Sequence, residues 1–168
     1  MILPQLLEDP TNIDFDQVKQ MVDTFLDAGF NYFDTSFVYH NGHSENAIKK
    51  YLVERHPHDC YRIASKLPVF SIQKEEVVQI FNQQLENCGV EYFDYFLLHN
   101  MNIHHYNSVV KSCKMFEHMQ EWKKAGKIKH IAISFHDSAD VLDLILSEHP
   151  EIEAVQIALN YCDWNSAF

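Results

Sequence analysis

Short apolar runs recur about every thirty residues, and a long amphipathic stretch separates each from the next. The runs fall at 30–34, 61–66, 93–99, 130–134 and 154–159. Each is nearly continuous in apolar, aromatic or β-branched side chains, as strands buried on both faces are. The stretches around them carry apolar residues at helical spacing. The first, 14–28, lines up Val18, Met21, Val22, Phe25 and Leu26 and stops at Gly29. The second starts near Ser44 and Glu45 and carries Ala47, Ile48, Tyr51 and Leu52. The third, 73–88, carries Val77, Val78, Phe81 and Leu85 and stops at Gly89. The fourth, 112–124, carries Met115, Phe116, Met119 and Trp122 and stops at Gly126. The fifth, 139–147, carries Val141, Leu142, Leu144 and Ile145 and ends before His149-Pro150.

Strict strand–helix alternation predicts an all-parallel sheet with covering helices, an α/β fold. An open doubly wound sheet and a (β/α)8 TIM barrel both satisfy it. The open sheet predicts a Gly-rich phosphate loop after its first strand. The chain has four glycines, at helix ends or in Asn41-Gly42, and no such loop. A complete barrel needs at least about 200 residues. The open sheet fits a length of 168 residues better; if the chain is a barrel sequence, it is a partial barrel of about five to six βα units, one incomplete domain over 1–168.

Charge and cysteine usage narrow the partners. Thirteen Lys and Arg against twenty-four Asp and Glu give a net charge of −11. That leaves no basic footprint for nucleic acid or an anionic lipid surface. No apolar run approaches a membrane span, and Met1 to Gln5 lack the marks of a signal peptide. Four scattered cysteines without a C-x-x-C pair suit free thiols in a reducing cytoplasm. Eleven histidines form no zinc pattern, and solvated loops account for them.

Chemistry in parallel α/β folds gathers at the C-terminal ends of the strands. Here those ends read Asp34-Thr35-Ser36 with Tyr39 beyond, Ser65-Lys66, His99-Asn100, Ser134-Phe135-His136-Asp137, and Gln156 with the residues after it. Any one has a structural explanation, as a loop cap, a surface lysine or a satisfied core histidine. Polar groups closing successive apolar strands point to one ring of function. Asp, Lys and Tyr together make an acid-activating set. An ammonium stabilises a phenolate, and a carboxylate keeps a buried ammonium charged. A histidine at the next strand end can hydrogen-bond a substrate oxygen. The result is a general acid aimed at an oxygen, as carbonyl reduction requires.

These residues carry a family resemblance. The string Gly29-Phe30-Asn31-Tyr32-Phe33-Asp34-Thr35-Ser36-Phe37-Val38-Tyr39, followed by Gly42-x-Ser44-Glu45, resembles the aldo/keto reductase signature. Ala64-Ser65-Lys66-Leu67-Pro68 resembles that family's lysine strand, and Tyr92-Phe93-Asp94-Tyr95-Phe96-Leu97-Leu98-His99 its histidine strand. Gly126 to Ser134 resembles the strand that meets the nicotinamide. The resemblance implies a barrel that binds NADPH and reduces a small carbonyl substrate. It implies Tyr39 as general acid, Lys66 tuning it, Asp34 paired with Lys66, and His99 orienting the carbonyl. It also implies Ser134 and Gln156 as contacts of the nicotinamide carboxamide.

Two departures accompany it. The family's usual Ser-Asn at the nicotinamide is Ser134-Phe135-His136 here, which removes an amide donor. The Ser-Phe-His-Asp string resembles a prokaryotic branch whose longer members carry a Cys-rich, iron–sulfur-binding tail, and the four cysteines lack that spacing. Met1 to Pro4 resemble the end of the family's first strand, and two final strands, which bear the cofactor's phosphate anchors, have no counterpart. This leaves an alternative in which the chain is a catalytically silent half-barrel that associates with another chain through unclosed sheet edges. A non-redox barrel with Lys66 as a Schiff-base lysine also fits the architecture, but it gives Tyr39 and His99 no required role. Phe37, Val38 and Trp164 are candidate pocket walls, the 99–106 stretch reads as a loop, and the lysines of 123–129 read as a solvated helix end.

Overall fold

A computed structural model describes residues 3–6 and 11–161. Five strands form one parallel sheet in sequential order: β1 Tyr32–Asp34, β2 Arg62–Pro68, β3 Phe93–Met101, β4 Ile128–Phe135 and β5 Ala154–Ile157. Among the described residues six α-helices accompany them: α1 Phe15–Asp27, α2 Ser44–Ile48, α3 Val77–Cys88, α4 Ile103–His105, α5 Met115–Lys124 and α6 Ala139–Glu148. The partial α/β barrel implied by the resemblance is the fold observed. Among the described residues, no helix is long and apolar enough to cross a membrane.

Local chemistry sets the helix ends. Asp14 caps α1 by accepting from the Gln17 N–H. Gln73 and Glu76 make a reciprocal capping box in the turn that leads into α3. Gly89 ends α3 at φ 67°, in the left-handed region.

The strand period of two divides the side chains between two faces. Phe33, Ile63, Leu67, Phe96, Leu98, Ile131 and Ile133 belong to the main core with the helix residues. Phe81 of α3 stacks on Trp122 of α5 at 3.7 Å, and both pack on Phe96 of β3. The opposite, inner face holds a separate small cluster of Ala64, Leu97 and Ala132, with Tyr95 and Ala154 against it. The sheet curls about this inner face. The Gln156 amide of β5 donates to Asp34 Oδ2 of β1 at 3.3 Å, although three strands separate them in the sheet.

Several boundaries differ from the sequence expectation. The second helix is regular only through Ile48 and continues as one π-helical turn, Lys49–Val53. The fourth starts at Met115 rather than Ser112, because Lys114 takes a left-handed φ of 53°. The stretch after His99 is not simply a loop. It holds α4 and a π-helical turn, Tyr106–Val110, with Tyr106 buried. Two side chains build that turn where no apolar stripe signals it: Asn102 accepts from the His105 N–H, and Asp137 accepts from the Ile103 N–H. β1 begins at Tyr32, leaving Phe30 exposed against Phe25, and β5 ends at Ile157, leaving Leu159 exposed. On α1 only Val18 and Val22 are fully buried, while Met21 and Phe25 line an apolar cleft beside Tyr32. Near the N-terminus, Gln5 makes an isolated antiparallel bridge to Ile13. Met1, Ile2, Cys162 and Trp164 lie outside the described residues.

Candidate functional site

The five strand ends deliver Asp34, Lys66, His99, Ser134 and Gln156 to one mouth of the curled sheet. Lys66 lies beyond Ala64, which pairs with Asp34, and Ser134 pairs directly with Gln156. Tyr39 enters from the turn after β1, where its N–H donates to Ser36 O at 3.2 Å. The next two residues, His40 and Asn41, both take left-handed φ values, 53° and 52°. Such a turn persists only where its surroundings fix it. Here the N-terminal segment does so: the Leu3 N–H donates to His40 Nε2 at 2.8 Å, and the Gln5 amide bonds Nδ1 at 3.2 Å.

Lys66 is the hub. Its side chain is 1% exposed, and its ammonium makes three hydrogen bonds: to Asp34 Oδ1 at 2.6 Å, to Thr35 O at 2.9 Å and to Tyr39 Oη at 3.2 Å. An ammonium has three donors, so all three are used. The charge is buried but paired, the condition under which a buried ion is tolerated. Because the Tyr39 oxygen accepts from Lys66, the phenolic proton is directed away from the ammonium. Asp34 is held from its other side by Gln156.

His99 follows Tyr95 and Leu97 on the inner face, and β3 becomes irregular just beyond it. Leu98 pairs with Ile133 and Met101 with Phe135, so His99 and Asn100 together oppose Ser134. Asn100 absorbs the extra residue at φ 63°. Bulges of this kind turn a side chain next to a functional site. The His99 ring meets Tyr39 edge-on at 5.5 Å between centroids, and half-exposed Phe70 lies 5.8 Å away. Its Nδ1 is 3.0 Å from Ser36 Oγ. Burial, followed by the nearby Lys66 charge, lowers the His99 pKa to about 4, so the ring is neutral at pH 7.

A second polar layer supports the lysine strand. Glu45 is fully buried; its Oε1 accepts from Ser65 at 2.6 Å and Gln84 at 2.9 Å, and its Oε2 accepts from Asn87 at 3.0 Å. The same Gln84 amide donates to the Lys66 carbonyl at 3.1 Å. Burial pushes the Glu45 carboxyl above the usual range, against these hydrogen bonds. Sequence reading placed Glu45 in a motif but gave it no task, and it missed Gln84. The available signal was a carboxylate and an amide on the core-facing stripes of two helices.

Ser134 is buried, with its hydroxyl 3.4 Å from His136 Nε2. Its neighbour Phe135 points to the other face and joins the main core. The residue that stands where the family places an amide therefore contributes nothing to the mouth. With its NH2 committed to Asp34, Gln156 retains its amide oxygen as an acceptor. A hydroxyl beside an amide oxygen suits a primary carboxamide such as that of nicotinamide. Of the proposed walls, Phe37 and Val38 are half-buried, and Trp164 lies outside the described residues. Lys123 pairs with Glu153 at the other end of the sheet, away from this mouth.

A model of the aldo/keto reductase family matches residues 5–168. Aldo-keto reductase family 1 member C21 of Rattus norvegicus is 26% identical over 142 residues, covering 74% of this chain and 44% of the relative. A thermostable aldo-keto reductase solved with the inhibitor epalrestat superposes with a TM-score of 0.72 at 21% identity, covering 95% of this chain and 54% of that one. An aldo-keto reductase from Klebsiella pneumoniae solved with NADPH gives a TM-score of 0.74 at 17% identity, covering 90% and 51%. At such identities the structural likeness establishes the fold. The chain spans about half the length of the relatives it matches.

Proposed function

The chain belongs to the aldo/keto reductase family, and from that premise we propose that it reduces small aldehydes or ketones to alcohols with NADPH, using Tyr39 as general acid. The observation that carries this reading is the Lys66 ammonium, bonded at once to Asp34, Thr35 O and the Tyr39 oxygen. Tyr39 directs its proton toward a substrate oxygen. As that proton leaves, negative charge develops 3.2 Å from the ammonium. Fixed charge at that point, on an ammonium only 1% exposed, favours the transition state. Asp34 holds Lys66 in place, and neutral His99 orients the carbonyl oxygen by a hydrogen bond. Ser134 would donate to the nicotinamide carboxamide oxygen, and Gln156 would accept from its NH2. A bound NADPH supplies the hydride. The free thiols Cys88 and Cys113, both buried, fit a cytoplasmic setting.

Fluorescence titration of NADPH and an aldehyde-dependent turnover assay test this. Tyr39→Phe should lower turnover by at least about 100-fold while NADPH binding persists. Undiminished turnover in that variant overturns the assignment.

A second reading has its own observation. Among the described residues β1 and β5 are the unpaired edges of the sheet, and Tyr32 is 40% exposed on the inner face. A silent half-barrel that associates through these unclosed edges predicts dimers or larger species in sedimentation, with no NADPH turnover. An active monomer excludes it.

A further inference from the structure

His99 meets the mouth with one ring nitrogen already engaged. Ser36 Oγ lies 3.0 Å from Nδ1, and Ser36 is fully buried. Among the described residues, His99 Nδ1 is the hydroxyl's only hydrogen-bond partner. Two tautomers of the neutral ring fit that distance. With the proton on Nδ1, the ring donates to Ser36. The buried Ser36 hydroxyl proton then has no acceptor, and Nε2 offers the mouth a lone pair. With the proton on Nε2, Ser36 donates to Nδ1 and both groups are satisfied. Buried polar groups are almost always hydrogen-bonded, so the second arrangement is favoured. A partner on one imidazole nitrogen decides what the other can do.

We propose that Ser36 is a positioning residue that holds His99 in the tautomer with its proton on Nε2, giving the mouth a fixed N–H donor. The use of that donor on a carbonyl oxygen rests on the function proposed above; the tautomer itself does not. Among the described residues, the charges that act on the ring are those of Lys66, Asp34 and His136. Tyr39 packs on its edge. The Ser36 carbonyl also receives the Tyr39 N–H, so one residue sets both the imidazole and the start of the tyrosine turn.

The test is long-range 1H–15N correlation spectroscopy of the histidine rings at pH 7 on the full chain without cofactor. His99→Gln identifies the His99 signals. The expected result is a protonated Nε2 and an unprotonated Nδ1 for His99. Ser36→Ala should give a mixture of both tautomers, and Ser36→Thr should restore the single form. A protonated Nδ1 in the parent, or an unchanged tautomer in Ser36→Ala, overturns the proposal. Turnover read in parallel should fall on the order of 3- to 10-fold in kcat for Ser36→Ala, with NADPH affinity unchanged. If the parent reduces no carbonyl, the reductase reading fails while the ring spectra still decide the role of Ser36.

Discussion

Replacing Lys66 by methionine removes one charge and leaves the shape of the inner face nearly unchanged. Methionine fills most of the lysine stem's volume, so no large cavity opens. What disappears is the donor of three hydrogen bonds. The Asp34 carboxylate, 15% exposed, keeps the Gln156 amide at 3.3 Å but loses its cation. Removing one partner of a buried pair typically costs about 3–5 kcal/mol, because the other charge is stranded. For a domain of this size that corresponds to a fall in Tm of roughly 8–15 °C. Adding Asp34→Asn removes the stranded charge, so the double variant should recover about 2 kcal/mol. Urea unfolding at pH 7, followed by circular dichroism, measures all three variants. A single variant within about 1 kcal/mol of the parent, or a double variant as unstable as the summed singles, would refute the buried pair. The charge proposed to act on Tyr39 would then have no structural basis.

Acid should weaken the fold partly through His99. Its folded pKa of about 4 lies below the unfolded value of 6.5, so the unfolded chain binds the extra proton between these limits. Its contribution to stability is therefore complete above about pH 6.5 and shrinks as the pH falls toward 4. Glu45, raised by burial, acts with the opposite sign, so urea midpoints of the parent and His99→Gln must be compared across pH 4.5–7.5; a shallower slope in the variant is expected. Glu45→Ala removes the shared acceptor of Ser65, Gln84 and Asn87 and should cost about 2–4 kcal/mol by urea denaturation. Gly89→Ala combines a left-handed φ of 67° with a Cβ only 2.9 Å from Lys49 Cγ, and should lower stability by about 1–2 kcal/mol in the same assay.

The parts legible in the sequence were those with a period. The continuous apolar runs around Ile63, Phe96 and Ile133 showed strands, and Gly89 and Gly126 marked helix ends. The residues at the strand mouths followed, because topology alone carries Asp34, Lys66, His99, Ser134 and Gln156 to one rim. Features made by single side chains were not legible. Asn102 and Asp137 close a helical turn with hydrogen bonds, and hydrogen bonds leave no hydrophobic pattern. The extra residue at Asn100 shifts β3 without interrupting its apolar run. Met21 and Phe25 lie on the predicted stripe of α1, yet they face a cleft because burial depends on a neighbour as well as on a pattern. Nothing in the sequence separates Ser36 from its polar neighbours, because its partner His99 lies 63 residues away.

The site depends on small side chains as much as on polar ones. Asp34 pairs with Ala64, Lys66 with Leu97, Leu97 with Ala132, and Ala132 with Ala154. On the inner face, each alanine lies two residues before a polar group: Ala64 before Lys66, Ala132 before Ser134 and Ala154 before Gln156. Side chains two apart share a face, so the alanines form a low floor under the polar rim. That floor lets the lysine stem cross from β2 to β1 and lets Gln156 reach Asp34, 122 residues away in sequence. Bulky residues at those positions would fill the space that the polar side chains cross. The acid, its charge partner, the orienting imidazole and the carboxamide contacts of the proposed reaction therefore fit within an arc of five strands.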